Sequence, residues 1–304
     1  MDTRLAYFED EAAPALRLAE AAGLKASVIK RHDFPDQELM LTLVPPLADA
    51  LPRTLVVYRS LDRPNDKLVE LLLVARHARR LGVKRLVLVA PYLAYMRQDI
   101  AFHPGEIVSQ PLVGGFLDEL YDALITVDPH LHRISRLEEV MPRIQALTLS
   151  GAPTLADLIQ KKRSNPLLLG PDAESSQWIE MAAAATGLDH GVCHKVRHGD
   201  TRVEIALPDL DLCGREVVLM DDIASSGHTL ACAIEAVLAA GADSVDVAVT
   251  HALFAGDALE VIRQAGVNEV WSTDCIAHPS NAVAMAPILG KALGEVLADT
   301  QRDT

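Results

Sequence analysis

Short apolar runs separated by stretches of helical periodicity cover almost the whole chain, and that alternation restricts its possible folds more than any other feature. Thr54–Tyr58 reads TLVVY, the pattern of a strand buried on both faces. Asn65 and Asp66 then offer helix-capping chemistry. Leu68, Leu71, Leu72, Ala75 and Ala78 return at helical spacing, and Gly82 closes the segment. Residues 85–90 (RLVLVA) make the next strand, which Pro91 ends. Ala123–Val127 and residues 167–169, 216–220 and 245–250 have the same character. Between the last two, Leu230, Ile234, Val237 and Leu238 mark one helix face ending near Gly241. Such alternation predicts an α/β fold of parallel sheets joined by right-handed crossovers.

A chain of 304 residues has room for two domains of about 150 residues each. Ser150-Gly151-Ala152-Pro153 supplies turn chemistry near the middle, and residues 82–90 have a faint echo in residues 241–249. The net charge is −14, so a general nucleic-acid surface is not expected, because phosphate contacts need clustered cations. A small phosphorylated ligand is still compatible, provided its site brings its own cations, backbone amides or a metal. Cys193, Cys213, Cys232 and Cys275 are widely spaced and read as reduced thiols. The chain opens without an apolar leader, and its longest apolar run contains Pro91 and is too short to span a membrane. A cytoplasmic location with no membrane partner is the expectation.

The most informative stretch is VVLMDDIASSGHT, residues 217–229. An apolar strand delivers Asp221 and Asp222 at its C-terminal end, and a loop of small residues leads into a helix. Backbone amides and hydroxyls at a helix N-terminus make an anion site, and adjacent carboxylates suit sugar hydroxyls or hydrated Mg²⁺. The competing reading is an ordinary strand-to-helix turn capped by Asp and Ser. Arg97 and Gln98 follow a strand and a proline; Arg97 suits phosphate, or a structural ion pair. His130 can ligate a metal or lie idle at the surface, and Asp172 can be only a helix cap. Lys195 and Arg197 fall in a polar hairpin, with residues 192–196 and 204–208 as arms and Gly199-Asp200 at the turn.

Strand, Asp221-Asp222, small-residue loop and Thr229 together resemble the phosphoribosyl-diphosphate (PRPP) binding motif of type I phosphoribosyltransferases and PRPP synthetases. Other segments select the synthetases. They are Phe34-Pro35-Asp36-x-Glu38, Arg59-Ser60, Arg63-Pro64-Asn65-Asp66-x-Leu68-x-Glu70-Leu71 and residues 91–99 (PYLAYMRQD). Val127-Asp128-x-His130, Gly170-Pro171-Asp172 and Lys195-x-Arg197 with Gly199-Asp200-x-Arg202 follow in the same order. By this resemblance, collinear over residues 3–290, the chain is identified as a member of the ribose-phosphate diphosphokinase (PRPP synthetase) family, with an archaeal-type catalytic loop.

The resemblance implies two phosphoribosyltransferase-type domains, each with a mostly parallel sheet flanked by helices. Residues 1–147 would make ATP and oligomer contacts, and residues 148–304 would carry the ribose 5-phosphate site. It implies Mg²⁺-dependent transfer of the ATP diphosphoryl group to ribose 5-phosphate, giving PRPP and AMP. Phe34, Asp36, Glu38, Arg97, Gln98 and Asp99 are the implied ATP contacts. Asp221, Asp222, Ala224, Ser225, Ser226, Gly227, His228 and Thr229 are the implied ribose 5-phosphate site, His130 and Asp172 the metal ligands, and Lys195 and Arg197 the catalytic pair. It also implies a homo-oligomer, minimally a dimer, in which residues 34–38 reach the neighbouring subunit's ATP. Two departures stand out: His228 replaces a small glycine of the phosphate loop, and Ile100 occupies a position that is commonly basic. A phosphoribosyltransferase that consumes PRPP and a non-catalytic synthetase-associated subunit are the alternatives.

Overall fold

The computed structural model describes residues 2–44, 52–198 and 202–299; of residues 196–198, 202–204 and 299 it describes the main chain only. The chain divides into two compact units, residues 1–149 with 285–304, and residues 150–284.

The first unit contains β1 (Thr3–Phe8), α1 (Ala12–Ala21), β2 (Lys25–Asp33), β3 (Leu39–Leu43), β4 (Thr54–Tyr58), α2 (Pro64–Arg80), β5 (Arg85–Val89), α3 (Ser109–Leu120), β6 (Ala123–Val127) and β7 (Gln145–Leu149). Its sheet runs β3-β2-β1-β4-β5-β6-β7. Every neighbouring pair is parallel except β2–β3, a hairpin at the edge. The central strands β4, β5 and β6 are the uninterrupted apolar runs of the sequence, and Val56, Val87 and Leu124 are wholly buried. Helix α2 starts differently from expectation. Asn65 and Asp66 are not its cap: Pro64 takes the first helical position, where its fixed φ suits the turn and its missing N–H costs nothing. Gly82 ends the segment in a left-handed conformation, with φ +96°.

The second unit contains α4 (Ala152–Lys162), β8 (Leu167–Gly170), α5 (Ser176–Thr186), β9 (His190–Val192), β10 (His194–His198), β11 (Arg202–Ala206), β12 (Glu216–Ala224), α6 (His228–Ala239), β13 (Ser244–Ala252), α7 (Ala258–Gln264), β14 (Val270–Thr273) and β15 (Asn281–Val283). Its sheet, β15-β14-β13-β12-β8-β9, is parallel throughout. One core packs Leu230, Ile234 and Val237 of α6 onto Val217, Leu219, Val247 and Val249 of the sheet. The opposite face carries Leu155, Ile159, Trp178 and Ile179 from α4 and α5.

Of the boundaries that differ from the sequence reading, three matter most. β12 runs to Ala224 rather than stopping at Met220, because β13 continues to pair with it through Asp221↔Val249 and Ala224↔Ala252. The hairpin arms are residues 194–198 and 202–206, since Val192 is already paired with Gly170 in the large sheet. The linear partition 1–147 and 148–304 also fails at its end. The C-terminal helix α8 (Ala286–Asp299) packs on α1, β6 and β7, with Gly290 close against Ala21, so it belongs to the first unit. Among the described residues no helix is long and apolar enough to cross a membrane.

Candidate active site

In an open parallel sheet, ligands collect beyond the carboxyl ends of the strands, where the connecting loops and helix N-termini face the same way. Each unit places its sequence-predicted residues there.

In the second unit, β12 carries Asp221 and Asp222 near its end. Successive strand residues face opposite sides, so Asp222 is buried while Asp221 keeps some exposed surface. The Asp222 N–H donates to Asp221 Oδ1 at 2.9 Å. Desolvation, followed by repulsion from Asp222 and Asp172, pushes the Asp221 carboxyl well above the ordinary carboxylate range. Ser225 and Ser226 form the turn, and Gly227 caps α6 with φ +76°. A Cβ at Gly227 would lie 2.8 Å from the Ala258 carbonyl oxygen, so glycine is required for space as well as conformation. His228 is exposed at the first helical position. The left-handed residue of the turn is Gly227, so a side chain at 228 is accommodated facing outward. The loop is tied down from behind: Phe254 N–H donates to Ala224 O at 2.8 Å and Ala255 N–H to Ser225 O at 3.0 Å. The first amides of α6 have no acceptor within the helix, as at any helix start, and so remain available to an anion.

Asp172 follows β8. Its Oδ1 accepts from Glu174 N–H at 3.0 Å, which is the cap role considered from sequence. Its Oδ2 lies 2.5 Å from Lys195 Nζ, so it also holds the first cation of the hairpin. Gly170 is needed two residues earlier, since a Cβ there would fall 2.0 Å from Ser175 Oγ. Lys195 sits opposite Ile205, whose side chain is buried in the core that anchors the hairpin base. Arg197 has its main chain in β10, but its side chain lies outside the described residues, as do Gly199 and Asp200.

In the first unit, residues 91–99 leave the end of β5. Arg97 is exposed. Gln98 serves the fold: its carbonyl oxygen accepts from Gln110 N–H at 3.1 Å and its Oε1 from Ser109 N–H, capping α3. Asp99 pairs with Arg133 at 2.5 Å. Tyr95 (φ +66°), Asp128 (φ +38°) and His130 (φ +46°) are non-glycine residues in left-handed backbone at the ends of β5 and β6. Strain of this kind collects at functional sites. His130 Nε2 stands 2.6 Å from His132 Nε2, a neighbour that no pattern in the sequence pointed to. Phe34, Asp36 and Glu38 form the exposed tip of the β2–β3 hairpin, where Asp36 Oδ1 accepts from Glu38 N–H at 3.2 Å.

Two mostly parallel sheets, one ending in a carboxylate pair and a small-residue loop at a helix N-terminus, define a phosphoribosyltransferase-type α/β protein. The comparisons sharpen this. The model for the N-terminal domain of ribose phosphate pyrophosphokinase matches residues 5–120, and that for the phosphoribosyl transferase domain matches residues 143–270. The ribose-phosphate pyrophosphokinase of Methanopyrus kandleri is 32% identical over 280 residues, 91% of this chain and 94% of the relative. That of Thermococcus kodakarensis is 33% identical over 285 residues, 94% and 96% of the two chains. The crystal structure of phosphoribosylpyrophosphate synthetase from Mycobacterium smegmatis shares the fold, with a TM-score of 0.82 at 20% identity over 98% of this chain and all of that one. The chain belongs to the ribose-phosphate pyrophosphokinase family, and it is an enzyme of that class.

Proposed function

We propose that the protein transfers the diphosphoryl group of ATP to the C1 hydroxyl of ribose 5-phosphate, releasing AMP and PRPP. The observation that carries the reading is the β12 carboxylate pair set before a tethered, anion-ready loop, in a chain whose relatives are named for this reaction. Ser225–Thr229 hydroxyls and the α6 amides would take the 5-phosphate; Asp221 and Asp222 would take the ribose hydroxyls. Residues 34–38 and 97–99 would contact ATP, with Arg97 facing phosphate while Gln98 and Asp99 hold the segment to α3 and Arg133.

The C1 oxygen attacks the β-phosphorus and loses its proton, and the bond from that phosphorus to the bridging oxygen of the α-phosphate breaks. Catalysis of such a transfer is mostly positioning and charge stabilisation. Lys195 and Arg197 would supply cations to the transferring group. The family implies a divalent cation, and the donor set suits one. Asp172 offers a hard oxygen ligand beside Asp221 and Asp222, and desolvation, then repulsion from Asp222 and Asp172, keeps the Asp221 carboxyl up. We assign the cation as Mg²⁺, with His130 and Asp172 as its protein ligands; when bound it neutralises phosphate charge. The same reading puts the enzyme in the cytoplasm, which keeps thiols such as its four free cysteines reduced.

The test is AMP release from ATP and ribose 5-phosphate, with and without Mg²⁺. Mg²⁺-dependent AMP formation in step with PRPP is expected; failure with ribose 5-phosphate but turnover of PRPP with a base would select a phosphoribosyltransferase instead. The exposed hairpin tip further supports a homo-oligomer, with Asp36 and Glu38 serving a neighbouring subunit. Sedimentation at micromolar concentration should show a dimer or larger, and a fully active monomer would exclude that role.

A further inference from the structure

Helix α2 buries the stripe Lys67, Glu70, Leu71, Val74, Ala75 and Ala78. Two charged residues therefore face the core. Glu70 is fully buried against Arg59, itself fully buried, with Arg59 Nε and Nη2 both 2.7 Å from Glu70 Oε2. The Arg59 guanidinium lies 4.3 Å from the centre of the Phe8 ring and also reaches Asp10 at 2.6 Å and Glu11 at 3.3 Å. Burial pushes the Glu11 carboxyl up, opposed by Lys67 and Arg59. Buried ion clusters are a poor route to stability, because desolvation offsets most of the attraction. Here the cluster fixes a particular geometry.

The geometry held here concerns one peptide. Glu11 Oε1 accepts from Ser60 N–H at 3.1 Å and from Lys67 Nζ at 3.1 Å. Lys67 Nζ donates to Ser60 O at 2.7 Å and pairs with Asp62. Both sides of the Ser60 main chain are thus clamped by charged groups. Its Oγ in turn accepts from Tyr92 N–H at 3.2 Å, and Leu61 N–H donates to Tyr92 O at 2.9 Å. Tyr92 is the second residue of the segment that ends in Arg97. The loops leaving β1, β4 and β5 are bound together through Ser60.

We propose that Glu11, Lys67 and Ser60 are positioning residues for the nucleotide segment 91–99, acting through Tyr92 and touching no substrate. The proposal rests on the reading of that segment as an ATP site. Ser60→Ala removes the acceptor for Tyr92 N–H without removing a charge, and Lys67→Met removes the clamp. Both should raise the KM for ATP about tenfold, the effect of losing one hydrogen bond, with kcat and the KM for ribose 5-phosphate within about twofold. Glu11→Ala should behave alike, whereas Glu11→Gln keeps the acceptor and should stay within about threefold of wild type. If the Glu11 and Lys67 variants do not fold, Ser60→Ala decides alone. Arg97→Ala is the control for the underlying reading. An unchanged KM for ATP in Ser60→Ala, with Arg97→Ala impaired, overturns the positioning role even if the melting temperature falls. An unchanged KM for ATP in both overturns the ATP reading of the segment, and this proposal with it.

Discussion

Replacing Lys195 by Ala is expected to lower kcat by about 10²-fold or more, the loss seen when one donor aimed at developing charge is removed. The Lys195 ammonium lies 2.5 Å from Asp172 Oδ2, on a hairpin whose base is anchored by buried Ile205. An interaction made chiefly in the transition state lowers kcat and kcat/KM together, so ATP affinity measured by direct titration should change much less than kcat. The Lys195–Asp172 pair is partly exposed, so its loss should cost about 1 kcal/mol or less of stability, and a thermal melt will confirm folding. Arg197→Ala is expected to behave in the same way. Wild-type turnover in both variants would reduce the hairpin to a structural element with no part in the reaction.

Asp221→Asn should separate function from stability in opposite directions. The folded-state pKa of Asp221 is raised, by desolvation first and then by Asp222 and Asp172. The sign follows from linkage: the unfolded chain gives up this proton at a lower pH than the folded chain. The raised pKa therefore favours folding at low pH, and this contribution is lost as pH rises from the unfolded value through the folded one. Once the pH exceeds the folded value, the protein bears the full disadvantage. The amide relieves it and can still accept from Asp222 N–H through Oδ1. The melting temperature on the alkaline side of this titration should rise, by about 2–4 °C per kcal/mol relieved, and its fall with rising pH should flatten. Loss of a charged acceptor for the ribose hydroxyls should meanwhile lower kcat/KM for ribose 5-phosphate roughly 10–10²-fold. A lower melting temperature with unchanged kcat/KM would return the pair to a structural cap.

The sequence reading reached what local chemistry specifies. Thr54–Tyr58 and Ala123–Val127 were placed to the residue, because an uninterrupted apolar run has no stable place except a sheet covered on both faces. The turn at residues 225–227 is legible because Ser-Ser-Gly, small and turn-forming, lies between an apolar strand and the helix face that begins at Leu230. The edge hairpin β2–β3 was not placed as strands: residues 30–33 (KRHD) are exposed and polar, so nothing in their pattern separates strand from loop. The true length of β12 also escaped, since two aspartates read as the end of a strand until β13 is present to pair beside them.

By itself, then, the sequence determined two α/β units, the carboxylate-and-loop motif and the family that carries it, all of which depend on short-range periodicity and the order of motifs. Only the tertiary structure decided that α8 closes on α1, that Asp172 holds Lys195, and that Lys67 and Glu70 face the core. Lys67 meets Glu11 across 56 positions and Ser60 meets it across 49. A charge on a helix reads as solvated until packing brings a counter-charge to it, and no spacing within the helix records where that partner lies in the chain.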